Sequence, residues 1–344
     1  MTWKYYKKDQ VLRVLKTVKV LTADKIKKKD QVERQKEFID LLNQRYKKVK
    51  ATCAKIYPMT LKSFTYAKHI YWMRNQHIAY CPSFKSASST WLSNLIQISN
   101  YPQEEKEKVK LKYPALIEQL RRLGAINPDN RKWLSYISRL NETDDFIGFM
   151  VVRHPFDRLV SAYRDKIERD NSWYHPHFGK FFVQKYRRQA IKVLGKDFFN
   201  ETNNFGTVTN VPKNRRPSSE FASFWEFAQA VIDKYKMDEH WMPISSYCSI
   251  CSPINIKAFR YYLKFEYLEN EEELFIKNFQ WDGKINKTER INENNSNKFS
   301  GNDLTQLYFS ILSKQQIKGL YNVYKQDFLL FDYIFSIDDL QFPM

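Results

Sequence analysis

Asp145-Phe-Ile-Gly-Phe-Met-Val-Val152 is a near-continuous apolar run that stops at Arg153-His-Pro155. A strand with one wet face alternates polar and apolar residues, whereas a strand covered on both faces reads as an unbroken hydrophobic string. The run therefore predicts a buried parallel strand. Residues 157–169, with Leu159, Val160, Tyr163 and Ile167 at helical spacing, predict the helix that follows it. A shorter version lies upstream: His77-Ile-Ala-Tyr-Cys81 reads as a buried strand, and residues 88–98 as a helix with Trp91, Leu92, Leu95 and Ile96 inward. Successive strand, loop, helix units point to an α/β fold with a central, mostly parallel sheet flanked by helices.

Around these units the chain is organised more loosely. Residues 1–50 are Lys-rich, with Phe38, Leu41, Leu42 and Tyr46 at helical spacing, and are expected to form a basic N-terminal helical region ahead of one domain over 51–344. Residues 195–219, rich in Asn, Thr, Pro and basic side chains, read as a long loop, and residues 220–235 as an aromatic-rich helix. A further strand is expected within 256–265, an acidic helix start at 269–273 and a polar loop at 292–302. The last helix begins at Ser313, where Gln316 completes a capping box, and carries Leu320, Tyr324 and Phe328 inward.

Charge narrows the partners. Fifty-seven Lys and Arg against 38 Asp and Glu give +19, which favours nucleic acid, an acidic membrane or an acidic polysaccharide without choosing among them. No apolar stretch reaches the roughly 18 residues of a membrane helix. Sequons at Asn141, Asn200, Asn286 and Asn294 permit a secretory location.

Loops that leave a buried strand and enter a helix bind anions, because the first N–H groups of the helix and its dipole point at the ligand. Lys85-Ser86-Ala87-Ser88-Ser89-Thr90 occupies such a place, offering a point charge, hydroxyls and first-turn backbone donors to a terminal phosphate or sulfate. It lacks the glycines of a Walker A loop, which disfavours an ordinary kinase or NTPase. Arg153, at the end of the second strand, is expected to clamp a second phosphate together with Arg158 and Ser161 one turn further on.

Together, Lys85-Ser-Ala-Ser-Ser-Thr-Trp91 and the stretch from Val152 to Lys166 resemble the paired cofactor motifs of Golgi carbohydrate sulfotransferases, specifically the family containing chondroitin and dermatan 4-O-sulfotransferases. The likeness continues through Glu239-His-Trp-Met-Pro243, Cys248-Ser-Ile-Cys251, Lys264-Phe-Glu266 and Tyr324-Lys-Gln-Asp-Phe-Leu-Leu-Phe-Asp-Tyr333. Phe84 stands where the family usually has Pro, and His154 where it usually has Asp or Glu. The resemblance implies a P-loop-like sulfotransferase fold. In it, residues 85–90 would bind the 5′-phosphosulfate of 3′-phosphoadenosine 5′-phosphosulfate, and Arg153 and Ser161 the 3′-phosphate. It also implies residence in the Golgi, although no membrane anchor is visible in this sequence.

Sulfuryl transfer needs positioned cations and a base for the acceptor hydroxyl, and no metal is expected. Lys85 is the expected partner of the leaving oxygen and His240 the leading base, with Glu239, Asp157 and His154 as rivals. His175 and His177 read as a loop within reach of the acceptor, as does Lys213-Asn-Arg-Arg216. Cys248 and Cys251 fit a zinc half-site, a redox pair or structural disulfides, of which the resemblance favours disulfides of unassigned pairing. The expected partner is an acidic glycan acceptor. A nucleic-acid or heparin-type binding protein without chemistry is the competing reading, and it leaves the Lys85 and Arg153 segments unexplained. The sequence sets no oligomeric state.

Overall fold

A computed structural model describes residues 31–56, 69–100, 102, 113–122, 130–141, 145–168, 171–199, 221–285 and 301–336. A four-stranded sheet in the order β1-β2-β3-β4 stands at its centre: β1 (Tyr71–Met73), β2 (Ile78–Tyr80), β3 (Ile147–Val152) and β4 (Tyr261–Lys264). β2, β3 and β4 run parallel, whereas the short β1 turns back antiparallel onto β2.

All six residues of β3 are buried, and the two faces of the sheet explain why the run is unbroken. Ile147, Phe149 and Val151 share one apolar cluster with Ile78, Tyr80 and Leu263. Helices α1 (Gln31–Ile56), α2 (Ser88–Ile98), α3 (Tyr113–Arg122) and α10 (Leu268–Asn278) cover that face. Met150 and Val152 share another with Ala79, Cys81 and Tyr262, covered by α4 (Asn130–Arg139) and the short α8 (Ile244–Tyr247) and α9 (Asn255–Ala258). Burying each such side chain contributes roughly 1.5–3 kcal/mol. Gly148 is required where β3 meets α9, because a Cβ there would lie 2.0 Å from the carbonyl oxygen of Ala258.

A third cluster lies beside the sheet. It joins α5 (Pro155–Lys166), α6 (Lys180–Leu194), α7 (Phe224–Ile232), α11 (Gly301–Phe309) and α12 (Lys314–Leu330) around Phe182, Phe227, Trp241 and Tyr324. α12 starts on Ser313 with Gln316 closing the capping box, as its sequence predicts. Ser223 and Glu226 form a second such box at the head of α7.

Residues 1–30 lie outside the described residues, and the helix from Gln31 onward packs on the sheet. α1 continues through Lys50 to Ile56, buries Phe38, Leu41, Leu42, Val49 and Cys53, and sends Arg45 onto buried Glu271 at 2.7 Å. Arg45 also donates to the carbonyl of Tyr262, so the helix is fastened to β4. The strand expected within 256–265 is shorter than read, because α9 occupies its first half. Residues 175–179, read as loop, form a π-helical turn that opens α6. The Lys213 to Arg216 segment, most of the 195–219 and 292–302 loops, and Asn200, Asn286 and Asn294 lie outside the described residues.

Both cysteines read as a possible local pair are joined elsewhere. Cys53 bonds Cys251 and Cys81 bonds Cys248, so neither zinc ligation nor a Cys248–Cys251 redox pair describes them. Among the described residues no cluster of His, Cys, Asp or Glu is placed to hold a metal, and no helix is long and apolar enough to cross a membrane.

Candidate active site

β2 and β3 are neighbours in parallel register, Tyr80 beside Phe149, so the loops that leave them emerge side by side at one edge of the sheet. The first loop runs from Cys81 into α2. Ser86 N–H donates to the carbonyl of Ser83, and the two serine hydroxyls sit 3.2 Å apart, which closes a tight turn. Lys85 and Ala87 adopt φ of 68° and 59°, a left-handed backbone that P-loops usually assign to glycine. Something must hold these side-chain-bearing residues there, since each such residue costs on the order of 1 kcal/mol or more.

Two arginines, Arg153 just after β3 and Arg158 on α5, do so. Arg153 Nη1 donates to the carbonyl of Lys85 at 2.9 Å, and Arg158 Nε to that of Phe84 at 2.8 Å. Arg158 is 1% exposed, and its remaining nitrogens donate to Met242 O and Glu239 O. Its fork thus ties the Lys85 loop to the Glu239–Pro243 segment. Arg153 is less enclosed, lying over the Phe265 ring at 4.4 Å. Burial lowers its pKa, while the charges of Asp157 and Glu266 oppose that shift.

Ala87, as N-cap of α2, supplies no side-chain cap, so the first-turn N–H groups are not capped by it. Ser86, Ser88 and Thr90 are buried, whereas Lys85, Ala87 and Ser89 reach the surface. Lys85 Nζ, 21% exposed, pairs with Asp165 Oδ2 at 3.1 Å. Burial lowers the Lys85 pKa against the opposing pull of Asp165. Burial raises the Asp165 carboxyl, but Lys85 and Lys166 outweigh it and hold the group below its ordinary value. Lys85 and Lys166 thus stand beside a helix terminus that its N-cap side chain leaves open. Ser161 is half-buried on α5, one turn before Asp165.

His240 comes to the same edge. Its ring packs on Phe84 at 4.6 Å, and its Nδ1 lies 2.7 Å from Asp238 Oδ1 and 2.9 Å from the Tyr174 hydroxyl. A carboxylate only accepts, so Nδ1 carries the proton and Nε2 holds the lone pair. Burial lowers the His240 pKa, its bond to Asp238 raises it, and the charges of Lys166 and Lys85 lower it again. The net shift is downward and favours the neutral imidazole, the form a general base needs.

The rival bases are engaged differently. Asp157 accepts from Thr305 at 2.5 Å, and the His154 ring meets Phe156, Phe328 and Tyr333 edge-on. His154 N–H donates to Glu266, which also accepts from Tyr333. Glu239 contributes its carbonyl to Arg158. His175 packs on Phe221 and His177 on Trp173.

Reading the sequence missed Asp165, Tyr174, Asp238 and Phe265. Asp165 was accessible, since Arg158, Ser161 and Asp165 share one face of α5 at spacings of three and four. Asp238, two residues before His240, signals an orienting carboxylate only once the turn between them is known.

The sequence profile of the sulfotransferase family matches residues 68–334, which takes in both loops, His240 and the disulfide-bonded Cys81 and Cys248. The chain belongs to the sulfotransferase family. This sulfotransferase is 25% identical to carbohydrate sulfotransferase 8 of Mus musculus over 305 residues, 86% of the chain and 64% of that relative. It is 25% identical to carbohydrate sulfotransferase 9 of Homo sapiens, over 78% of the chain and 54% of the relative. With carbohydrate sulfotransferase 11 of Rattus norvegicus it shares 26% over 55% of the chain and 47% of the relative. The chain thus spans less than two thirds of each of these proteins. No solved structure matches the sulfotransferase significantly.

Proposed function

We propose that the chain transfers a sulfuryl group from 3′-phosphoadenosine 5′-phosphosulfate to a hydroxyl of a carbohydrate, an acidic glycan of the chondroitin or dermatan type. The observation that carries the reading is the coupling of the two loops, in which Arg153 donates to the carbonyl of Lys85 at the end of two parallel strands. One loop then meets the reacting end of the cofactor and the other its anchoring phosphate.

In this reading the 5′-phosphosulfate lies on the first turn of α2 against Lys85, Ser86, Ala87, Ser88, Ser89 and Thr90, and Arg153 and Ser161 take the 3′-phosphate. Lys85 exchanges Asp165 for the bridging oxygen of the donor. His240 Nε2 accepts the proton of the acceptor hydroxyl as its oxygen attacks sulfur, and the bond from sulfur to the phosphate oxygen breaks in line. The departing 3′-phosphoadenosine 5′-phosphate carries the charge, which Lys85 and the helix N–H groups stabilise. Asp238 positions the imidazole and stabilises the imidazolium. Residence in the Golgi lumen is supported by two disulfides that join all four cysteines, a pattern of oxidising compartments.

Thermal unfolding of the purified protein with 3′-phosphoadenosine 5′-phosphate tests the cofactor. Ligand at a hundredfold its dissociation constant should stabilise the native state by about 2.7 kcal/mol. Lys85→Ala should keep the fold and lower transfer to chondroitin by on the order of 10²-fold. An unchanged melting temperature at saturating ligand would remove the sulfotransferase reading, and unimpaired turnover in the variant would remove the role of Lys85.

A further inference from the structure

Trp173 is the most exposed of the Phe, Tyr and Trp side chains among the described residues, at 53%, and one ring separates it from the candidate base. A rigidly held aromatic face left in water offers a flat apolar surface for recognition. Two consecutive ring contacts connect it to His240, Trp173 to Tyr174 at 4.8 Å and Tyr174 to His240 at 5.6 Å. The indole is also held rigidly. Asn171 Oδ1 accepts from the backbone N–H groups of Trp173 and Tyr174, capping the turn. His177 stacks parallel on the indole at 4.8 Å, and its Nδ1 donates to the Trp173 carbonyl at 2.6 Å. The π-helical turn His175–Gly179 brings His177 under Trp173, and such turns recur at functional sites.

Cations flank this platform. Lys166 lies over the Tyr174 ring at 5.0 Å, and Lys236 over Phe178 and Phe181 at 5.9 and 3.9 Å. Phe178 in turn meets the Trp173 ring at 5.8 Å, and Lys180 at the head of α6 is exposed. An aromatic ring packs against the C–H face of a pyranose, while ammonium groups around it select a carboxylated or sulfated sugar.

We propose that Trp173, backed by His177 and flanked by Lys166 and Lys236, is a subsite for a uronate-bearing glycan chain, gripping sugars next to the one that receives sulfate. The proposal rests on the sulfotransferase reading and adds the residues that recognise the acceptor. It places specificity on a preordered turn that leads into α6, outside the two cofactor loops.

The test titrates the protein, saturated with 3′-phosphoadenosine 5′-phosphate, with unsulfated chondroitin by calorimetry and tryptophan emission. Wild-type protein binds with a change in emission. Trp173→Phe abolishes most of that change, and Trp173→Ala weakens binding on the order of tenfold. Both variants keep the melting temperature and its rise with the nucleotide, because the side chain is exposed. In turnover assays Trp173→Ala raises KM for chondroitin with kcat and KM for the sulfate donor unchanged. A wild-type protein that shows the nucleotide-induced rise yet does not bind chondroitin, or a Trp173→Ala variant with undiminished affinity, overturns the subsite. Either result leaves the cofactor reading intact, whereas loss of the nucleotide response itself strikes the sulfotransferase reading.

Discussion

Arg158 distinguishes a phosphate ligand from a fastener. Replacing it with Met preserves most of the side-chain volume and removes donors to three carbonyls, Phe84 O, Glu239 O and Met242 O. A buried acceptor left without a partner costs about 1–3 kcal/mol. Three at the low end cost about 3 kcal/mol, since relief of the guanidinium's own desolvation offsets part of the loss. At about 2 °C per kcal/mol for a chain of this size, the ligand-free protein should melt roughly 6 °C lower. Arg158→Lys restores the charge without the planar fork and should recover little of this. Differential scanning calorimetry of the ligand-free variants reads the first effect, and titration with 3′-phosphoadenosine 5′-phosphate reads the second. Affinity should fall as well, because the Lys85 loop loses one of its two tethers. A ligand-free melting temperature equal to wild type, combined with lost nucleotide affinity, would refute the fastening argument and restore Arg158 to the phosphate.

Four further outcomes follow from the geometry. Burial lowers the pKa of His240 below its ordinary value of 6.5, and a base must be neutral, so kcat should fall on the acid side with a midpoint under pH 6.5. Asp238→Asn removes a contact that raises this pKa, so the acid limb should move lower still while kcat drops; a limb that stays in place or moves up speaks against the pairing. Breaking the Cys81–Cys248 bond by Cys248→Ser releases a cross-link spanning 167 positions and should destabilise the protein by about 2–5 kcal/mol, with KM for the sulfate donor raised. Gly148→Ala drives a methyl into the Ala258 carbonyl, and the soluble yield and melting temperature should both collapse; a well-folded variant would contradict the close approach of β3 to α9.

The parallel core was legible because both faces of β3 are covered, so burial dictates its residues apart from Gly148, which the Ala258 carbonyl requires. α2 was legible to the residue for a similar reason, since Trp91, Leu92, Leu95 and Ile96 all face the sheet. β1 escaped reading: three residues placed by pairing with β2 leave no period to detect. The turn at His175–Gly179 escaped because its aromatic and proline content resembles a loop, whereas Asn171 and the Phe178 contacts with Phe182 and Trp241 fold it into a helix. The three carbonyls that converge on Arg158 from distant segments were not legible, because spacing shows only which face of α5 it occupies.

The same convergence explains how a loop without glycine holds the left-handed turns of Lys85 and Ala87. A glycine loop meets its left-handed turns at little steric cost, and its shape is then free to vary. Here Lys85 and Ala87 take those turns under strain, held by Arg153 and Arg158, and the Cys81–Cys248 bond clamps the loop's first residue to the segment that carries His240. Lys85 and His240, the proposed cation and base, are thereby parts of one cross-linked unit, Arg158 bridging Phe84 to Glu239 and Met242 while Phe84 packs on the His240 ring. Such a unit keeps its geometry before the cofactor arrives. The conformational cost is met during folding instead of during binding, which is what a transfer step that depends on positioned charges requires.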